Sequence, residues 1–189
     1  MTMKTDISRY QIHDELTAPD ASAKLLQGMA SAAGGSVSKF VGVLAGSPAA
    51  LRAFARMRHE LRGGVLPPST RERIALAVAE DRADPYSVAQ HAKTARAAGL
   101  GLDEISRARS WGSADPREAA LLAFLKALLE ADGRPAHHLL EEAREVDWSD
   151  EQILEAVAHV ALNEFQSLMA NAAALPQDQS DPSVLPAAA

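Results

Sequence analysis

Three times ahead of the C-terminal tail a helix-capping residue is followed directly by proline: Ser47-Pro48, Asp84-Pro85 and Asp115-Pro116. A short oxygen-bearing side chain at the cap and a proline at the first helical position together mark a helix start. Each pair leads into a stretch rich in Ala, and the first and third into Leu as well. Hydrophobic residues make up 47% of the 189 residues, while aromatics are only 4%. Ala and Leu must therefore fill the core, which favours helices in close contact over sheets anchored by aromatic rings. No segment shows convincing strand alternation, and no short-period repeat is present. The fold class is all-α.

The remaining elements follow from the same punctuation. Asp20 is placed to cap a helix carrying Leu25, Leu26 and Met29, which Gly34-Gly35 breaks. A short helix with Val37, Phe40, Val41 and Leu44 ends at Gly46. The helix after Ser47 carries Leu51, Phe54, Met57 and Leu61, and stops at Gly63-Gly64. Ser69 opens the next, and Ser69-x-x-Glu72 has the form of a capping box. Asp84-Pro85 starts a helix running to Gly99, a C-terminal cap. A brief helix spans Leu102 to Ala108. The helix after Asp115 carries Ala119, Leu122, Leu125 and Leu129 on one face and ends at Asp132-Gly133. Pro135 to Val146 is shorter. Ser149 starts a long closing helix to about Ala173, with Ile153, Val157, Val160, Phe165 and Leu168 at helical spacing. Three parts result: an arm over 1–19, a helical domain over 20–175, and a flexible tail over 176–189.

Charge narrows the function classes. With 25 acidic and 19 basic residues the formal net charge is −6. No basic stripe stands out, which speaks against nucleic acid as a partner. The first residues lack the apolar stretch of a signal peptide, and no apolar run is long enough to cross a bilayer. A cytoplasmic protein without a membrane partner is the expectation. There is no cysteine. Disulfides, thiolate metal sites and a dithiol redox cycle within the chain are excluded.

Asp84, Ser87 and His91 lie three and four residues apart, so they form one polar stripe near a helix start. Capping alone explains Asp84. Glu72 reads either as the partner of Ser69 in a capping box or as a buried acid. A lone His91 is open to a structural or a proton-handling reading. The three stripe residues have the types of a hydrolase triad, yet they share one helix with no nucleophile elbow or oxyanion hole. Glu72, Asp84 and His91 would make an O/O/N metal set, but no strong ligand pattern supports it, and neither metal nor cofactor is expected. His137-His138 faces two directions on a helix, as surface residues do.

The run Arg71 to Glu80, then Asp84 to His91, then Ala95 to Leu100 resembles the core of the AhpD-like alkylhydroperoxidase / carboxymuconolactone decarboxylase family. Leu44 to Pro48 with Leu51 and Phe54 resembles the segment before that core, and Trp148 to Ile153 with Ala158 to Phe165 the closing helix of peroxidase-related members. The family's peroxidases carry Cys-x-x-Cys-x-x-x-His with an upstream Glu. Here Asp84 and Ser87 stand at the two cysteine positions, while Glu72 and His91 keep the proton-handling places. The resemblance implies an AhpD-like helical domain assembling as a homo-oligomer, a trimer or hexamer. It implies catalytic roles for Glu72 and His91, and a pocket to which Tyr86, His159 and Asn163 contribute. The dithiol peroxidase mechanism is closed to a serine and an aspartate. Two readings stand. One is acid–base chemistry on a small carboxylated or lactone substrate, as in a decarboxylase-like lyase, with Arg71, Arg73 or Lys93 to hold its charge. The other is a degenerate peroxidase homologue with a binding or assembly role.

Overall fold

Ser47, Asp84 and Asp115 cap their helices as their sequences require. Their side chains accept from the backbone N–H groups of Ala50, Ser87 and Arg117. These caps open α3 (Pro48–Arg62), α5 (Pro85–Ala97) and α7 (Pro116–Glu130). The computed structural model describes residues 8–176. The other helices in that span are α1 (Asp20–Ala32), α2 (Lys39–Leu44), α4 (Pro68–Asp81), α6 (Leu102–Ala108), α8 (His137–Glu145) and α9 (Asp150–Ala173). No strand occurs among the described residues. The protein is all-α.

Helix α4 sits at the centre and packs against α5, α9 and α6. Its residues 73–79 are buried without interruption, so it shows no solvent face over two turns, as a central helix should. Ala75, Ala77 and Ala79 have no bulk beyond Cβ, which lets the neighbouring helices approach closely. Ile74 and Val78 join Leu121, Leu122, Leu125, Trp148, Ile153 and Val160 in one apolar cluster. A second gathers Leu26, Phe40, Val41, Leu44, Leu51, Phe54, Tyr86 and Leu162. Phe40 meets Phe54 edge-on at 5.0 Å, and Phe165 stacks on Phe54 at 6.3 Å. Helix α9 contributes to both clusters and so ties the two halves together.

Three sequence expectations are corrected. Pro19, not Asp20, is the N-cap of α1, and Asp20 lies inside the first turn with no side-chain cap bond at that end. The Ser69–Glu72 capping box does not form. Pro67-Pro68 moves the start of α4 upstream, Pro67 becomes the N-cap, and no side chain closes it. The Glu72 carboxylate is thereby left to bond across to another helix. A reciprocal capping box does form at α9, between Ser149 and Gln152. Finally, Leu168 is 69% exposed rather than packed inward.

The described part of the expected arm has no helix but is tied down. Ser8 Oγ and Arg9 N–H both donate to the Ala173 carbonyl, and His13 N–H donates to that of Gly42. Residues 1–7, and 177–189 of the expected tail, lie outside the described residues. No helix among the described residues is long and apolar enough to cross a membrane.

Candidate functional site

Glu72 on α4 faces His91 and Thr94 on α5. Its Oε2 accepts from His91 Nδ1 at 2.9 Å and from Thr94 Oγ1 at 2.6 Å. On the other side of the imidazole, Gln166 on α9 places its amide nitrogen 3.1 Å from His91 Nε2 and 3.2 Å from Ser87 Oγ. An amide N–H donates, so Nε2 accepts, and the neutral ring carries its proton on Nδ1 toward Glu72. Three helices thus fix one imidazole in orientation and tautomer.

Burial acts to raise the Glu72 carboxyl. The hydrogen bond from His91, the charge that ring carries when protonated, the Thr94 hydroxyl and the Arg71 guanidinium outweigh it and hold the group below its usual range. Glu72 is therefore an ionised acceptor at neutral pH.

Glu72 and His91 form part of the wall of a cavity of about 490 Å³. Phe40, Val41, Phe54 and Leu162 supply apolar lining. Tyr86 also lines it, with its hydroxyl accepting from Phe40 N–H at 3.3 Å. His159 and Asn163 are both buried at the same cavity, and Asn163 Nδ2 donates to the His159 carbonyl at 2.7 Å. Burial lowers the His159 pKa, with Arg71 acting in the same sense and Glu155 against it.

Asp84 and Ser87 are each only 1% exposed, and neither lines the cavity. Asp84 Oδ1 caps α5, and its Oδ2 has no hydrogen-bond partner among the described residues. A hydrolase triad is not assembled. The acid beside His91 is Glu72, and the Ser87 hydroxyl meets Gln166 rather than the imidazole. Glu72, Asp84 and His91 do not converge as a ligand set either, since no group of three such side chains does so among the described residues.

The three cations named from sequence separate. Arg71 lines the cavity and donates to the Leu61 and Arg62 carbonyls at the end of α3. Arg73 turns away to Glu104 and Glu118. Lys93 is exposed and off the cavity, and the His137 side chain is likewise solvent-facing. Sequence reasoning missed Arg58, Arg62, Thr94 and Gln166. A signal existed for two of these sets. His159, Asn163 and Gln166 follow a four–three spacing on one helix face, and Arg58 and Arg62 are one turn apart.

Residues 48–130 match the carboxymuconolactone decarboxylase family. The fold matches an uncharacterised peroxidase-related protein with an alkylhydroperoxidase AhpD core from Ralstonia eutropha JMP134. The TM-score is 0.79 at 25% identity, over 92% of this chain and 94% of that one. An uncharacterised peroxidase-related protein from Silicibacter sp. TM1040 aligns with a TM-score of 0.77 at 19% identity, over 95% and 96% of the two chains. A protein of unknown function from Agrobacterium tumefaciens aligns with a TM-score of 0.64 at 21% identity, over 69% and 92%. No curated protein matches the chain.

Fold and site together define an all-helical protein of AhpD-like architecture. Its residues 48–130 are similar to the carboxymuconolactone decarboxylase family, and the chain has no cysteine.

Proposed function

We propose that the protein carries out acid–base chemistry on a small carboxylated or lactone substrate, as a decarboxylase-like lyase. The supporting observation is the 2.9 Å Glu72–His91 hydrogen bond at the wall of a largely apolar cavity. Glu72 orients the imidazole and stabilises its protonated form, as carboxylates do in other acid–His pairs. His91 Nε2 is the atom that takes a proton from substrate carbon or returns one to it. For that, the substrate displaces the Gln166 amide. Positioned general acid–base groups contribute about 10²–10⁴-fold to rate.

The test is turnover across a panel of small lactones and keto acids. His91→Ala and Glu72→Gln should each lower any detected rate by about 100-fold or more. Unchanged rates in both variants would remove the assignment. Peroxide reduction coupled to a dithiol donor should be absent, since the chain offers no thiol. Peroxide reduction by the unmodified protein in metal-free buffer would contradict that.

A degenerate site with a binding or assembly role is the second reading. What favours it is that Gln166 engages both the Ser87 hydroxyl and His91 Nε2 with no substrate present. It predicts no turnover anywhere in the panel. We also propose a cytoplasmic location and a trimer or hexamer, on the resemblance; light scattering tests the latter, and a monomer would overturn it.

A further inference from the structure

Besides Glu72 and His91, the cavity wall carries a group of positive charges that the acid–base pair does not use. Arg58 and Arg62 stand one turn apart on α3, and Arg71 approaches from α4. Arg71 is already occupied by the two carbonyls at the end of α3. Arg58 and Arg62 are exposed on the helix, and neither has a carboxylate within 4.0 Å among the described residues. Like charges at this spacing repel each other on a helix. Arg58 keeps part of its surface in solvent, yet the protein around it and the Arg62 charge push its pKa down, with only Glu72 opposing. The Glu72 carboxylate, in turn, is committed to His91 and Thr94.

His159 adds an independent observation. It is 5% exposed, lines the same cavity, and its Nε2 has no hydrogen-bond partner among the described residues. The nearest acid, Glu155, is 3.9 Å away and accepts from the Val65 and Leu66 N–H groups. The cavity wall thus carries two guanidiniums that no carboxylate pairs with, and a buried histidine whose Nε2 has no hydrogen-bond partner among the described residues. Phe40, Val41, Phe54 and Leu162 provide apolar surface in the same cavity.

We infer that Arg58 and Arg62 form a carboxylate-binding subsite for a small organic acid whose apolar body rests on Phe54 and Leu162. Guanidinium groups match the geometry of carboxylates and hold them through paired hydrogen bonds. The apolar surroundings select an organic acid over a bare inorganic anion, since a phosphate ion would leave that surface unfilled. This rests on the acid–base reading for its second half only: the acid is held at the arginines so that its reacting carbon reaches His91.

The test is calorimetric titration of the full chain with glutarate, its neutral diamide and inorganic phosphate, at two salt concentrations. The inference expects glutarate to bind, and the diamide and phosphate to bind at least 10-fold more weakly. Arg58→Gln with Arg62→Gln should weaken glutarate at least 10-fold and flatten its salt dependence. Arg96→Gln, an exposed arginine off the cavity, should change affinity less than 2-fold. Circular dichroism establishes that each variant is folded. No glutarate binding, equal binding of the diamide or of phosphate, or equal loss in Arg96→Gln would each overturn the subsite. The two readings fail separately. Glutarate binding that survives His91→Ala, with no turnover in the panel, leaves the subsite and removes the lyase. Turnover that needs His91 but has an unchanged KM in the double arginine variant does the reverse.

Discussion

At the scale of single residues, the site turns on where one proton sits. Glu72 and Gln166 approach opposite nitrogens of His91, and both favour the Nδ1–H form. Nitrogen-15 NMR of the neutral ring should find that tautomer in the unmodified protein. In Glu72→Leu the Nε2–H form should appear, because the stronger of the two constraints is gone. Finding Nε2–H already dominant in the parent would contradict the arrangement. Titration gives a second residue-scale prediction. Glu72 is held below its ordinary range and His159 below the ordinary imidazole range. In both cases the unfolded chain binds the proton more readily, so stability falls as pH falls from each ordinary value toward the folded one. For His159 that loss begins below about pH 6.5. The urea midpoint should therefore drop between pH 7.5 and pH 5, and drop less in His159→Gln. Glu118 works in the opposite sense: burial raises its pKa despite the Thr70 hydrogen bond and Arg73, so its share is lost as pH rises above the usual carboxylate range.

At the scale of elements, end chemistry decides what can be read from sequence. Cap-proline pairs are local, and α3, α5 and α7 begin where such pairs stand. The Ser69–Glu72 pattern failed because two prolines upstream supply a better start, so Ser69 lies two residues past the actual cap. That displacement is what frees Glu72 for His91. Loss of the genuine box, by Ser149→Ala, should cost about 1 kcal/mol in urea unfolding. A tertiary cap closes the turn before α4: Glu155 on α9 accepts from Val65 N–H at 2.7 Å and Leu66 N–H at 3.0 Å. A methyl group at Gly64 would occupy the space of that carboxylate. Gly64→Ala and Glu155→Ala should each destabilise by about 1–3 kcal/mol, because either change unseats the same bonds. Their double variant should cost well under the sum. Full additivity would mean that Gly64 is needed for some other reason. The cap was not legible beforehand, and the spacing that groups Gln166 with His159 and Asn163 does not tell which face of α9 meets α4 and α5.

At the scale of the whole molecule, two apolar clusters share α9, and the cavity opens beside the second of them. Ile74 is fully buried in the first cluster, so Ile74→Ala should cost about 2–5 kcal/mol. Leu168 is mostly exposed, and Leu168→Ala should change the stability of a single chain by less than about 0.5 kcal/mol. Helical periodicity could not separate these two positions, because both are apolar and in register. Only the packing of the helices tells them apart. The same limit applied to the cavity. Glu72, His91, His159 and Asn163 could be named from motif and spacing; the one-turn spacing of Arg58 and Arg62 marks a basic face on α3 but not what it meets, because α3 reaches the site only after folding.

The account rests on Glu72 and His91 moving protons at carbon in a scaffold that has no thiol. Incorporation of solvent deuterium into small keto acids and carboxylated lactones, followed by proton NMR in heavy water, tests this most directly. The prediction is protein-dependent exchange at the carbon next to the carbonyl, reduced about 100-fold or more in His91→Ala and in Glu72→Gln. Exchange that is absent from the unmodified protein, or equally fast in both variants, would contradict it.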